Sequence, residues 1–218
     1  MITQTEGRII LSEMQPHTQT PTFHKTHIWD NSDTQNYVLE YLEKVLLLPN
    51  STLSLPVSST HSILIIPYIG DLLVENTRVG QKSIEENQSF TLQADIYSEI
   101  LNPYQDEIVT FFIAKYSTVL AEELNDISIQ ASKNQLMPIS TSSWIGQFDG
   151  RQKGELSLSN NHKDILVYVV DGAFEVQDRL LHAEDALLLN SVDMVDFEAL
   201  SNEAILLFFE LVLHTKRG

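Results

Sequence analysis

The chain has 218 residues, 43% of them hydrophobic, and carries 30 Asp and Glu against 13 Lys and Arg for a formal charge of -17. That imbalance repels phosphate backbones and anionic lipid headgroups, so neither nucleic acid nor a membrane is expected as a partner. There is no cysteine, which excludes disulfides, thiolate metal sites and a cysteine nucleophile, and is compatible with a cytoplasmic location.

The first eight residues lack the basic start and apolar core of a signal peptide, so export is not expected. Short extended segments are predicted at 8–11 and 23–29, separated by a loop that contains Pro16 and Pro21. Alternating apolar and polar residues with short turns then predict strands near 37–48, 52–57, 61–66, 71–76, 89–93, 96–101 and 107–116. Residues 118–126 place apolar side chains at helical spacing among good helix formers, and predict a short helix where an interdomain connection should fall. Polar residues follow up to Pro138, and a second set of strands begins near 139. The apolar run 204–213 contains Glu210 and falls far short of the ~20 residues a membrane helix needs. It reads as a strand buried on both faces. Asn50 and Asn87 match the glycosylation pattern, but without an export signal they read as turn residues.

One stretch occurs twice. Ile63 to Asn76 and Ile165 to Asp178 each lead a β-branched run into a single glycine, Gly70 or Gly172, and out into an alternating strand. Residues 87–92 answer 184–189 and residues 106–112 answer 202–208, with shorter loops in the second copy. An internal duplication of this kind sets the architecture before any single residue is interpreted. The expected division is an N-terminal barrel with the N-terminal strands over 1–120, a linker with a short helix over 121–138, and a C-terminal barrel over 139–218.

A strand, a glycine turn, a strand and then the acidic turn Ala183, Glu184, Asp185 before an apolar strand resembles the cupin barrel, and two such barrels in tandem resemble the pirin-like bicupins. The second copy carries the clearer match, through Tyr168 to Val176, Ala183 to Ala186 and Ile205 to Glu210. The resemblance implies an all-β fold of two tandem jelly-roll barrels with a short helical connection. It also implies one metal in the N-terminal barrel, held by a His-x-His pair ahead of a Glu and by a later His-x-Glu. Counted from Gly70, those positions hold Val57 and Ser59, then Ile63, then Tyr97 with Glu99. Only Glu99 can ligate as the family pattern requires, whereas a catalytic divalent ion generally needs about three protein ligands. His61 shares a strand face with 57 and 59, so a two-residue slip would supply a second. In the second copy the corresponding positions are Asn160, His162, Ile165 and Val195. No cofactor is expected; the alternative is a single divalent metal such as iron.

His61, Tyr97 and Glu99 are the candidate ligand-binding residues, expected to meet inside the first barrel. A carboxylate, a phenol and an imidazole buried together could orient a small polar ligand or relay a proton, or could merely satisfy one another. His24 and His27 lie three apart on a strand and point to opposite faces, which argues against a shared ion with His17 and for an edge-strand setting. Trp29 and Trp144 read as core anchors. No Gly-x-Ser-x-Gly elbow and no glycine-rich phosphate loop occurs. The expected function is a metal-free binding or regulatory module with a small-molecule or protein partner, as a monomer or homodimer. The alternatives are a metal-dependent dioxygenase of the quercetinase type, using His61 and Glu99, and a metal-free sugar isomerase or epimerase, using His61 and Tyr97.

Overall fold

The computed structural model describes residues 5–31, 37–55, 58–78, 80–93, 97–158 and 164–214; Val57, Asn160 and His162 lie outside them. The strands in chain order are β1 (Gly7–Ile10), β2 (His17–Gln19), β3 (Phe23–Asp30), β4 (Leu39–Leu47), β5 (Thr52–Ser54), β6 (Ser62–Ile69), β7 (Leu72–Asn76), β8 (Gly80–Ile84), β9 (Gln88–Gln93), β10 (Ser98–Leu101) and β11 (Val109–Tyr116). After them come β12 (Glu123–Asp126), β13 (Met137–Ser140), β14 (Ser143–Phe148), β15 (Lys153–Ser157), β16 (Asp164–Asp171), β17 (Ala173–Val176), β18 (Arg179–His182), β19 (Ala186–Leu189), β20 (Met194–Ala199) and β21 (Ala204–Leu211). A single 3-10 turn at Ser12–Met14 is the one helical element among the described residues.

Each half is a sandwich of one large and one four-stranded antiparallel sheet. The first half orders its strands β12-β9-β6-β11-β4-β3-β2 against β5-β10-β7-β8, and the second β1-β19-β16-β21-β14-β13 against β15-β20-β17-β18. The duplication read from the two glycines is therefore a duplication of topology. β6, Gly70 and β7 repeat as β16, Gly172 and β17, and both glycines sit at positive φ, +78° and +80°. A side chain there would be strained by the backbone and would also meet Val109 Cγ1 at 2.8 Å or Ala204 Cβ at 2.7 Å.

Val45, Ile63, Ile65, Phe90, Phe111 and Ile113 fill the space between the first pair of sheets. Phe148, Ile165, Val167, Phe174, Phe197 and Phe208 do so in the second, with Trp144 packed against them. β21 is buried along its whole length, as expected of a strand enclosed on both faces. Among the described residues no helix is long and apolar enough to cross a membrane.

Two expectations are corrected. Residues 118–126 form no helix: Glu123–Asp126 is β12, which pairs antiparallel with β9 from Glu123 opposite Thr91 to Asp126 opposite Gln88. Its helical spacing is a weak local preference, and the backbone partners offered by an open sheet edge override it. The N-terminal strands do not all belong to the first barrel either. β1 pairs with β19, Gly7 opposite Leu189 through Ile10 opposite Ala186. The compact units are accordingly Gln15–Asp126 and the pair of segments Met1–Met14 and Ile127–Gly218. β1 and β12 cover the same edge of the repeat, one in each unit.

Replacing Gly80 by Ala, at φ +72° with open space around the new methyl, should cost only the backbone strain of about 1 kcal/mol. Gly70→Ala and Gly172→Ala should each cost about 1–3 kcal/mol more, through the added clash. Urea unfolding of the three variants tests this, and equal losses would contradict the packing role assigned to the two repeat glycines.

Candidate functional site

The inner wall of the first barrel is apolar at one end and charged at the other. On β4 the inward positions run Leu47, Val45, Glu43, Tyr41, because alternate residues share a face and Val45 and Leu47 lie in the core. Glu43 is 6% exposed, a position at which a carboxylate must be paired and hydrogen-bonded. Its partners come from β3, whose register sets Lys25 opposite Val45 and His27 opposite Glu43. Lys25 Nζ donates to Glu43 Oε2 at 2.9 Å, and His27 Nδ1 lies 2.9 Å from Oε1. His27 Nε2 is 2.9 Å from the Thr18 hydroxyl on β2. A neutral imidazole satisfies both contacts when Nδ1–H donates to the carboxylate and Thr18 donates to Nε2.

A second cluster adjoins the first. Lys115, on β11, faces Ile63 on one side and Tyr41 on the other. The register between β11 and β4 slips at Tyr116, which pairs with Leu39 and leaves Glu40 as the extra residue of a bulge. Bulges commonly re-aim a side chain, and here Glu40 accepts from Lys115 Nζ at 2.7 Å and lies 3.0 Å from His61 Nε2. His61 Nδ1 meets the hydroxyls of Ser58 and Thr60. Burial alone would raise the Glu40 pKa, but the hydrogen bonds and charges of Lys115 and His61 outweigh it and hold the carboxyl below the usual range. Tyr41 lies between the clusters with Lys115 Nζ 5.8 Å from its ring centroid. Its burial, followed by the charges of Glu43 and Glu40, pushes its hydroxyl pKa well up, so the phenol stays a donor at neutral pH.

The three residues singled out in the sequence do not meet. His61 joins the Glu40 cluster, whereas Tyr97 and Glu99 turn outward. On β10 it is Ser98 and Ile100 that are buried, and Tyr97, just before the strand, is 44% exposed. Tyr97 donates to Glu99 Oε2 at 2.5 Å and Ser54 donates to Oε1 at 3.0 Å. The Tyr97 hydroxyl is pushed up to about 12, first by that bond to Glu99. The expectation misplaced the face by one residue, and in a strand one residue exchanges inside for outside. His24 and His27 do diverge as predicted. The ring of His24 lies 5.4 Å from that of His17 at a tilt of 56°, while His27 is held on Glu43.

Glu40, Tyr41, Glu43, Lys25 and Lys115 were missed in the sequence. The signal for Glu43 was its alternation with Val45 and Leu47, which places a charge on a core-facing position.

The second barrel shows what the fold itself requires. Ile165 repeats Ile63, and Ile165 lies opposite Glu210 as Ile63 lies opposite Lys115. Two residues further in, Phe208 lies opposite Trp144 and Trp144 opposite Pro138. Trp144 and an exposed Pro138 thus stand where the first barrel has Glu43 and His27, and the buried acid of the second wall is Glu210, at the position of Lys115.

The metal implied by the resemblance does not fit these residues. Ser59 lies in a turn, Ile63 is an apolar core residue, and Glu99 is spent on Tyr97 and Ser54. Both oxygens of Glu40 are taken, one by an ammonium, and both nitrogens of His61 face hydrogen-bond partners. Among the described residues no three His, Asp or Glu side chains are grouped to share an ion.

Residues 128–211 match the family model described as the quercetinase C-terminal cupin domain. No curated protein matches the chain. Among solved structures, the chain is similar to the bacterial pirin YhhW of Escherichia coli in complex with nickel(II), at 11% identity and a TM-score of 0.76 over 95% of this chain and 100% of that one. It is similar to GK1651 of Geobacillus kaustophilus, at 10% identity and TM-score 0.73 over 99% and 100%. It is also similar to a quercetin 2,3-dioxygenase of Acinetobacter baumannii, at 12% identity and TM-score 0.64 over 94% and 83%. At such identities these likenesses establish the fold.

Because the folded state holds the Glu40 carboxyl below its unfolded value, its ion pair contributes stability above about pH 4.5, lost as pH falls through the folded pKa. Glu40→Gln should therefore be less stable than the native chain at pH 7, with the gap closing as pH falls below about 4.5 and through the folded pKa. Thermal unfolding across that range checks it; a gap constant with pH would contradict the pairing.

Proposed function

From the premise that the chain has the fold of the pirin-like bicupins, with a second barrel of the quercetinase C-terminal cupin type, we propose that it is a binding or regulatory module that receives a small molecule at the charged inner wall of its first barrel and uses no resident metal. One observation carries this reading. The same sandwich is built twice, and where the second copy sets Trp144 and an exposed Pro138 the first sets Glu43 and His27, with Lys25 on the acid and the Glu40–Lys115 pair beside it; the one buried acid of the second wall, Glu210, stands at the position of Lys115. Burying a charge costs several kcal/mol unless it is well paired, and even a paired one seldom stabilises a protein more than apolar packing of similar volume. A cluster of paired charges, retained at positions where the other copy does without one, is therefore supported better by recognition than by stability. The wall is also reachable, since the side chains of Lys25, His27, Glu40, His61 and Lys115 are each between 16% and 33% exposed.

The second reading, a metal-dependent dioxygenase of the quercetinase type, draws support from the description of the matched family and from the names of two neighbours, one a nickel complex and one a quercetin dioxygenase. It would have to recruit His61 and Glu40 after displacing Lys115.

Elemental analysis of untagged protein purified without chelator separates the two. Binding without a metal predicts well under 0.1 equivalent of iron, nickel, copper or manganese, about a tenth or less of what one filled site requires, unchanged in His61→Ala and Glu40→Ala. Near-stoichiometric metal lost in both variants would establish the dioxygenase reading instead.

A further inference from the structure

Three of the seven histidines stand on one hairpin, β2 and β3, and the register sorts them onto two faces. Lys25 and His27 face the barrel interior, opposite Val45 and Glu43 on β4. His24, opposite Leu46, therefore faces outward, and so does His17, which lies opposite Thr26. The charged inner wall uses His27 and leaves the other two without a role.

The two outward imidazoles meet. Their ring centroids are 5.4 Å apart at a tilt of 56°. His17 Nδ1 lies 3.1 Å from the hydroxyl of Thr26, a buried residue. When Nδ1–H donates to that hydroxyl, Nε2 carries the lone pair, and metal-binding histidines commonly donate their other ring N–H in this way. His24 makes no hydrogen bond or ion pair among the described residues, so a lone pair is at hand there too. An ion about 2.1 Å from each nitrogen lies about 3.2 Å from each ring centre, which sets two ligating imidazoles about 4.5–6.4 Å apart between right-angled and linear coordination. The observed separation falls inside that span.

We propose that His17 and His24 form a surface site for an exchangeable divalent transition-metal ion, held by Nε2 of His17 and one nitrogen of His24 with water in the remaining positions. Imidazole suits copper, nickel and zinc, whereas calcium and magnesium take oxygen ligands, and copper(II) is held most tightly of the series. Lys44 shares this outward face, opposite Thr26, so the ion is selected by the imidazole lone pairs and not by neighbouring negative charge. Two protein ligands hold an ion less firmly than the three or four of a resident centre. The ion is therefore lost in purification and has to be added back. A bound ion ties β2 to β3, and β2 carries Thr18, whose hydroxyl completes His27. The site lies on the opposite face of β3 from the charged wall and stands independently of the binding-module reading.

Isothermal titration of the untagged chain with copper(II), nickel(II), zinc(II) and magnesium(II) tests it. Copper should bind at about one equivalent per chain and more tightly than nickel or zinc, and magnesium should not bind. His17→Ala and His24→Ala should each weaken copper binding by about tenfold or more, while His182→Ala, in the second barrel, leaves it unchanged. Saturating zinc should raise the melting temperature of the native chain and not that of His24→Ala. Should either variant fail to fold, NMR of the native chain decides: substoichiometric copper(II), which is paramagnetic, should broaden the ring signals of His17 and His24 before those of His61 and His182. Copper binding lost in His61→Ala and Glu40→Ala but indifferent to His17→Ala and His24→Ala would overturn this site and favour the dioxygenase reading instead. No binding by copper, nickel or zinc would reduce the pair to a ring contact and overturn the proposal, while leaving the reading of the charged wall untouched.

Discussion

A carboxylate that is all but buried inside a β-sandwich cannot stand alone, and the first barrel is organised around the one at Glu43. Its two oxygens need two donors, and both come from β3. That strand has to lie in register with β4 so that Lys25 and His27 arrive on the same inner face. β2 must in turn flank β3, because Thr18 completes the imidazole. Three strands of the large sheet are thereby tied to one side chain. The neighbouring bulge at Glu40 brings a second acid to the same end of the wall, with Lys115 and His61 as its partners. The result is a polar wall on which two acids, two lysines, two imidazoles and a phenol lie at one end of the barrel.

The duplication makes this wall interpretable. Two copies of one topology share the positive-φ glycine between their long central strands, the same sheet orders and an added edge strand in the same place. They part at the positions opposite Ile113 and Phe208, where one copy has Glu43 and the other Trp144. Since the second copy packs an indole where the first has Glu43, an acid at that position is not demanded by the fold. The family match covers residues 128–211, in the second barrel.

Much of the fold was legible in the chain because its signals are local. Gly70 and Gly172 with the β-branched runs before them marked the repeat, and the run ending near Leu213 could only be an enclosed strand. Contacts that join distant segments were not legible. β1 and β12 are short, their residues carry no strong strand signal, and each is placed by an open edge far away in sequence. The site was harder still. Tyr97 and Glu99 were assigned inward on a count from Gly70, and a single residue of register reverses that assignment. Glu40 points inward only because of a bulge, which no periodicity announces, while Lys25 and Glu43 meet across a hairpin whose register is set by the whole strand pair. His61 alone among the expected residues reached the wall, with Glu40 rather than Glu99 as its partner.

The central claim is that the charged wall exists for a ligand and not for the fold. It is tested most directly by equilibrium unfolding of a triple variant, Lys25→Met, His27→Leu and Glu43→Leu, which replaces the Glu43 cluster by apolar side chains. Replacing a buried ion pair by apolar groups of similar volume is often neutral or stabilising by about 1–4 kcal/mol. The account predicts a cooperative transition at least as stable as that of the native chain. A loss of about 3 kcal/mol or more, the scale of a broken buried pair, would show that the cluster holds the barrel together and would contradict the claim.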